Sequence, residues 1–122
     1  MDNYEYTELL KNVKIKLRNI AGVVEPEKIK VRLLAIKELE NEQEFWTNAE
    51  NAAKIQKEKT QLQRKLNKYN VAKEAVEDAI ELYAMAKDEN DEESIETLYG
   101  DAANLENQIR GMEIEVLLSG DS

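Results

Sequence analysis

The residues whose spacing could support catalysis are carboxylates. Glu38 with Glu42, and Glu77 with Glu81, are four residues apart, so a helix would place each pair side by side, as a general acid and base require. The chain has no His and no Cys, which excludes imidazole triads, thiol catalysis, disulfides, haem ligation and zinc sites of the finger or protease type. Solvated helix faces are the simpler interpretation of both pairs, and we predict no catalytic residue.

Neither a metal site nor a phosphate site is indicated by the acidic and glycine residues. The acidic run 88–93 resembles a calcium loop, but it lacks the central glycine and the glutamate at the twelfth position. The four glycines, at positions 22, 100, 111 and 120, are isolated and form no phosphate-binding loop. We therefore expect no metal and no cofactor, and we interpret 88–93 as a polar turn.

The net charge of -9 is distributed unevenly, and one segment is basic. Residues 47–73 carry 7 basic and 2 acidic residues, whereas residues 74–122 carry 2 basic and 15 acidic residues. Cations at helical spacing form a basic stripe (Lys54, Lys57, Arg64 and Lys68, with Gln61 between them) and a first-helix cluster (Lys11, Lys14 and Arg18). Two interpretations stay open, namely solvation of long helices and a docking edge for an acidic or RNA-containing partner.

Hydrophobic periodicity predicts four helices that would position these groups, at about 3–21, 26–41, 48–87 and 92–118. Gly22 is expected to end the first helix and Pro26 to begin the second. Thr47 with Glu50, and Asn90 with Glu93, match the capping-box pattern and are predicted to begin the third and fourth helices.

The fold class predicted from these segments is all-α. Apolar residues alternate at steps of three and four along both 48–87 and 92–118, and a short turn joins the two segments, which predicts a long antiparallel, coiled-coil-like hairpin. Two shorter N-terminal helices are expected to pack on it, in a single domain of residues 1–122. The longest apolar run, 33–36, is far below the ~20 residues needed to span a bilayer, so we expect a soluble intracellular protein without membrane contact.

Five short sequence motifs, in their order along the chain, resemble those of a known family. They are Glu38-Leu39-Glu40, Phe45-Trp46-Thr47-Asn48-Ala49-Glu50, Lys57-Glu58-Lys59, Asp91-Glu92-Glu93 and Leu117-Leu118-Ser119-Gly120-Asp121. With these segments in this order and spacing, the chain resembles the N-terminal domain of the bacterial peptide chain release factor 2 family. The resemblance covers essentially all 122 residues, and members of the family are class I release factors. The aromatic pair at 45–46 and the Ser-Gly-Asp at 119–121 favour type 2 over type 1.

The resemblance implies a cytoplasmic protein of translation termination at UGA and UAA stop codons. The family reads the codon with Ser-Pro-Phe and triggers peptidyl-tRNA hydrolysis with Gly-Gly-Gln, and this chain has neither motif, because Pro26 is its only proline and no two glycines are adjacent. It is therefore expected to be a non-enzymatic N-terminal fragment of a longer factor. The resemblance further implies docking on the ribosome toward the stalk base and GTPase-associated region, and a response to the class II release-factor GTPase.

Two alternatives remain open from the residues themselves. Lysines at seam positions 59, 73 and 87 suit a self-associating coiled-coil module, and the apolar Leu117 and Leu118 suit a homodimer of the fragment. A tRNA-binding helical arm of a synthetase, such as that of seryl-tRNA synthetase, also has long antiparallel helices, although the acidity of residues 74–122 opposes RNA binding.

Overall fold

The computed structural model describes residues 3–119, and this part of the chain is helical almost throughout, with no strand. The helices are α1 (Asn3–Val24), α2 (Pro26–Glu40), α3 (Gln43–Thr47), α4 (Ala49–Asp88) and α5 (Glu92–Ser119). The all-α prediction is confirmed. The periodicity does not predict α3, because a helix of 5 residues is too short to display a helical period.

The boundary between α1 and α2 lies at Glu25 and not at Gly22. Glu25 adopts the left-handed conformation, with φ 53° and ψ 64°, and its carbonyl accepts hydrogen bonds from the backbone amides of Lys28 and Ile29 at 3.0 and 3.2 Å. Pro26 follows as the first residue of α2, where its missing amide hydrogen leaves no donor unpaired. Gly22 stays within α1, since a glycine inside a helix costs only ~1 kcal/mol relative to alanine. The predicted end of the first helix at residue 21 is therefore wrong.

Helix α4 begins at Ala49, and its cap lies one residue after Thr47, the predicted cap. The Oδ1 atom of Asn48 accepts a hydrogen bond from the backbone amide of Asn51 at 3.1 Å, which makes Asn48 the cap. Thr47 belongs to α3, where its hydroxyl donates to the Glu44 carbonyl at 2.7 Å. The Thr47–Glu50 capping box is therefore wrong, because the backbone of Thr47 is already helical.

The turn between α4 and α5 differs from the prediction in the same way. Asn90 is left-handed, with φ 54°, and the amides of Asn90 and Asp91 donate to the carbonyls of Lys87 and Ala86 at 3.1 and 3.0 Å, which is a Schellman motif ending α4. Asp91 then caps α5, because its carboxylate accepts from the Ser94 amide at 3.1 Å and from the Ser94 hydroxyl at 2.6 Å. These two hydrogen bonds lower the pKa of Asp91.

The chain divides into two compact units. Unit 1 consists of the described parts of Met1–Val23 and Asn70–Ser122, and unit 2 is Val24–Tyr69. Helix α4 is continuous through the boundary between them. That residues 1–122 form a single domain remains a prediction.

Unit 1 has an aromatic centre in which α1, α4 and α5 meet. Tyr6 and Tyr83 stack with their ring centroids 3.9 Å apart, and Tyr99 contacts Tyr6 edge-on at 5.5 Å. The same cluster contains the buried residues Leu10 and Ala102. The predicted hairpin is therefore observed beside its turn, with α1 packed against it.

The hydroxyl groups in this aromatic centre are unusual. Among the described residues, the hydroxyls of Tyr6 and Tyr83 are buried without a hydrogen-bond partner. Burial, together with the neighbouring Tyr83 and Asp101, raises the pKa of Tyr6 to about 12. Tyr6 therefore stays neutral at physiological pH. Both rings contribute to the core through their apolar faces.

Polar side chains also join α1 to α5 within unit 1. Glu106 is buried and lies 3.6 Å from the Nζ atom of Lys16, and it is also paired with Arg110 one turn further along α5. The side-chain amide of Asn19 donates to Glu113 at 2.8 Å. A buried carboxylate requires such partners, because an uncompensated charge in the interior is strongly destabilising.

Unit 2 has a smaller apolar core, and charged groups connect its helices. Its buried hydrophobic residues are Ile29, Ile36, Phe45 and Ala52. Arg32 on α2 forms two hydrogen bonds with Glu58 on α4, at 2.7 and 2.8 Å.

A second polar connection in unit 2 centres on Glu40. Its carboxylate accepts from Gln56 at 2.6 Å and from Lys59 at 2.8 Å. Its carbonyl accepts from the indole nitrogen of Trp46 at 2.9 Å, which links α3 to the end of α2. The hydrogen bonds from Lys59 and Gln56 lower the pKa of Glu40, as the hydrogen bonds from Arg32 lower that of Glu58.

Candidate partner-binding surface

The basic stripe lies on one exposed face of α4 within unit 2. Lys54, Lys57, Arg64 and Lys68 are all exposed, as is Gln61 between them. Because they recur at steps of three and four, they share one side of the helix over roughly 21 Å at 1.5 Å per residue. Ala52, Gln56 and Lys59 occupy the opposite side of α4, where Gln56 and Lys59 bond to Glu40 of α2.

Whether a lysine of α4 pairs within unit 2 or is exposed on the surface depends on the side of the helix from which it projects. Lys59, at a predicted seam position, is paired with Glu40 and so joins α4 to α2 within unit 2. The stripe residues project away from this contact, so a partner can approach them without breaking the α2–α4 connection. Exposure fits both a partner contact and a solvated helix, so the partner contact of the stripe stays a prediction.

Lys65 is an exposed cation beside the stripe that the sequence pattern did not single out. It lines a shallow groove of about 290 Å³ together with Glu58, Gln61, Leu62 and Arg64. Lys65 lies one position beyond the three-four steps of the stripe, which is why the pattern omits it. A count of all cations on the outer half of the helix would have included it.

The first-helix cluster forms a separate surface. Lys11, Lys14 and Arg18 are exposed on α1, in unit 1, with Ile15 between them and 41% exposed. The basic stripe belongs to unit 2 and this cluster belongs to unit 1, so they are two surfaces and not one site.

The exposed carboxylates do not assemble a reaction centre. Glu38, Glu42, Glu77 and Glu81 are all exposed, so neither pair is held in an enclosed, water-poor environment that would favour proton transfer. Within residues 3–119, no group of three or more acidic side chains is arranged to hold a metal ion. In the same range, no helix has the length and apolar character needed to cross a membrane. The exposed cations of the basic stripe can form charge-based contacts with anionic groups.

Comparisons with known proteins identify the family of the chain. Residues 29–122 match the PCRF domain family. This chain belongs to the PCRF domain family. It is 59% identical over 122 residues to peptide chain release factor 2 of Sulfurimonas denitrificans, with 100% of this chain and 33% of that protein covered. It is 47% identical over 121 residues to peptide chain release factor 2 of Campylobacter fetus, with 99% of this chain and 33% of that protein covered.

These matches confirm the resemblance to the N-terminal domain of peptide chain release factor 2 that the ordered sequence motifs indicate. A third relative, peptide chain release factor 2 of a Sulfurovum species, is 46% identical over 121 residues, covering 99% of this PCRF chain and 33% of its own length. The chain thus spans about a third of the length of the curated relatives it matches. No solved structure gave a significant match.

Proposed function

We propose that this PCRF domain is the non-catalytic, ribosome-docking part of a peptide chain release factor that directs translation termination at UGA and UAA codons in the cytoplasm. The observation that carries the proposal is the 59% identity to a protein named peptide chain release factor 2 across all 122 residues of the chain. Family membership of residues 29–122 supports the same class of protein.

The role assigned to the domain is positioning, because its sequence offers a charged surface and no reaction centre. The codon-reading and Gly-Gly-Gln motifs of the family are absent from these 122 residues, so codon recognition and ester hydrolysis would depend on other parts of a full-length factor. The domain would face the stalk base and the GTPase-associated region of the ribosome and take part in the response to the class II release-factor GTPase.

The basic stripe is the surface that we assign to the ribosome contact. Its cations are exposed along one side of α4, and they can pair with RNA phosphates by displacing condensed counterions. The first-helix cluster of Lys11, Lys14 and Arg18 is assigned as a second contact with the same chemistry. The acidic surface of residues 74–122 would be turned away from RNA, because like charges repel.

A chimera tests the proposed function. The segment of the Sulfurimonas denitrificans relative that matches this chain is replaced by these 122 residues, and peptide release is measured on ribosomes stopped at UGA, UAA or UAG. We expect release at UGA and UAA within about threefold of the parent factor, which corresponds to a small change in transition-state stabilisation. At UAG, and with the isolated chain at any codon, only background release is expected.

Two outcomes would contradict the proposal. One is a chimera that is helical by circular dichroism but neither binds the ribosome nor releases peptide. The other is peptide release by the isolated 122-residue chain, which would place the chemistry in this domain.

A further inference from the structure

Unit 1 has an exposed apolar groove beside the turn between α4 and α5. The groove encloses about 430 Å³, and its apolar lining consists of Leu82, Met85, Ala86 and Leu98. Leu82 and Met85 are 46% and 53% exposed. Leu82 and Met85 do not belong to the aromatic centre of the unit, to which α4 contributes Tyr83 with the partly buried Ala79 and Ile80.

The rim of this groove is acidic. Glu89, Asp91 and Glu93 line it, and none of the described residues lining it is Lys or Arg. Asp78 lies one turn before Leu82 on the same side of α4, and Asp101 lies one turn beyond Thr97 on the same side of α5, and both are exposed. An apolar floor surrounded by carboxylates favours a ligand that is apolar in the middle and basic at its edges.

We propose that this groove binds a basic amphipathic helix of a partner protein. Apolar side chains of that helix would insert between Leu82, Met85 and Leu98, and its Lys or Arg residues would face Glu89 and Glu93. The inference is independent of the proposed ribosome docking, which uses the basic stripe in unit 2, and its test involves no ribosome.

The geometry of the groove favours a helix over the other modes of peptide recognition. Both walls are α-helices whose backbone groups are bonded internally, so no sheet edge is available to pair with an extended strand. Helix-in-groove binding instead uses side chains spaced at i, i+3, i+4 and i+7. Leu82, Met85, Ala86 and Glu89 of α4 follow this spacing, so the wall presents a matching ridge.

Charge excludes nucleic acid as the occupant, and the basic stripe of a second copy of this chain has no apolar residue at its stripe positions. Two other surfaces of a second copy do present exposed apolar residues beside cations, namely Ile15 in the first-helix cluster and Val31 with Leu34 next to Lys30 and Lys37 on α2. Self-association through either surface is therefore a distinct outcome of the test.

The probe is a synthetic helical peptide of about 18 residues, or five helical turns, with leucine along one face and lysine along the other. It is titrated into the isotopically labelled 122-residue chain, and amide chemical shifts are followed by NMR. We expect saturable shifts around 82–98, and we expect a peptide of the same composition in scrambled order, which has no apolar face, to bind at least about tenfold more weakly.

Matched variants separate specific docking from general attraction between opposite charges. Glu89→Lys with Glu93→Lys should weaken peptide binding about tenfold or more. Glu77→Lys with Glu96→Lys makes the same charge change on the same two helices at exposed positions facing away from the groove, and should weaken it at most about threefold. Leu82→Ser with Met85→Ser should also weaken binding, whereas Val71→Ser with Ile114→Ser, at other exposed apolar positions of unit 1, should not.

The proposal is overturned if the two charge-reversal pairs weaken binding equally, or if the Leu82 and Met85 substitutions have no effect. It is also overturned, in favour of self-association, if the groove amides shift with protein concentration in the absence of peptide and either Ile15→Ser or Val31→Ser with Leu34→Ser abolishes that shift.

Discussion

Units 1 and 2 hold their helices together by different means. Unit 1 contains ten of the fourteen buried hydrophobic residues that the structure describes, including the stacked pair Tyr6 and Tyr83. Unit 2 contains the other four and joins α2 to α4 through Arg32–Glu58 and Glu40–Lys59. Their charges also differ, since the residues of unit 1 sum to -11 and those of unit 2 to +2. The difference predicts that added salt and mild acid destabilise unit 2 more than unit 1, in which the Lys16–Glu106 pair and the Asp91 cap accompany a larger apolar core.

The two units can be followed separately in one experiment. Trp46 is the only tryptophan of the chain and belongs to unit 2, so its fluorescence reports on that unit. The stacked pair Tyr6 and Tyr83 belongs to unit 1, so the part of the near-ultraviolet circular dichroism that Tyr6→Phe removes is expected to report on that unit.

The largest effect is expected from shortening a side chain in the core of unit 1. Ile109 is 2% exposed, and Ile109→Ala should lower the free energy of unfolding by about 2–5 kcal/mol, through lost burial and the cavity left behind. Ile114→Ala, on the same helix but at a half-exposed position, is the matched control and should change it by about 0.5 kcal/mol or less. Equal effects in urea unfolding would show that α5 does not pack as described.

A second large effect is expected in alkali, again in unit 1. Because burial raises the pKa of Tyr6 to about 12, the unfolded chain ionises this group at lower pH than the folded chain does. The free energy of unfolding is therefore unaffected by the ionisation of this group below pH ~10. It should fall as the pH rises toward 12, by up to roughly 3 kcal/mol. Tyr6→Phe should remove this pH dependence without loss at neutral pH, because it deletes an unpaired hydroxyl. Urea unfolding at several pH values between 9 and 12 measures it, and unchanged pH dependence in the variant would contradict it.

A smaller effect is expected from the charged pairs of unit 2. A double-mutant cycle of Arg32→Ala and Glu58→Ala should give a coupling energy of about 1 kcal/mol that falls with added salt, because the pair has two hydrogen bonds and is partly exposed. Lys30 and Glu27, a pair within α2, provide the control and should couple by about 0.5 kcal/mol or less. If the two cycles agree, the distinction between the units is weaker than described.

The smallest effect is expected in mild acid, also in unit 2. Hydrogen bonds lower the pKa values of Glu40 and Glu58 below their ordinary values near 4.5. The stability that these two carboxylates contribute to unit 2 is therefore present above pH ~4.5. It is lost as the pH falls through their lowered pKa values. Trp46 fluorescence should report loosening of unit 2 before the tyrosine signal of unit 1 changes. Glu40→Gln with Glu58→Gln should reduce this difference, and simultaneous loss of both signals in the unchanged protein would contradict it.

The sequence predicts the helices well where many residues share a pattern, and poorly where one residue decides. The seams that place Val76, Ile80 and Tyr83 on one side of α4 extend over several turns, so the hairpin follows from them. The caps do not, because Thr47 and Asn48, like Asn90 and Asp91, are neighbours that can each cap a helix. Only the backbone conformation decides between them, as the left-handed Asn90 shows.

Surface features are also predictable where they follow from one helix and unpredictable where they depend on tertiary packing. The exposure of the basic stripe is predictable, because its residues are displaced from the apolar seam along one helix. The Arg32–Glu58 bridge is not, since its partners are 26 residues apart and meet only through tertiary packing. Nor is the acidic groove, because the exposure of Leu82 and Met85 depends on how α5 packs against α4.

The assignment of the basic stripe to ribosome docking is tested most directly by the affinity of the chimeric release factor for ribosomes over a range of salt concentrations. Lys57→Glu, Arg64→Glu and Lys68→Glu together change the stripe, and Lys28→Glu, Lys30→Glu and Lys37→Glu make the same charge change at exposed positions on α2 of the same unit. We predict that the stripe variant binds about tenfold or more weakly with a reduced salt dependence, while the α2 variant stays within about threefold of the unaltered chimera. Equal loss in both variants, or no loss in the stripe variant, would contradict the assignment of the stripe to ribosome docking.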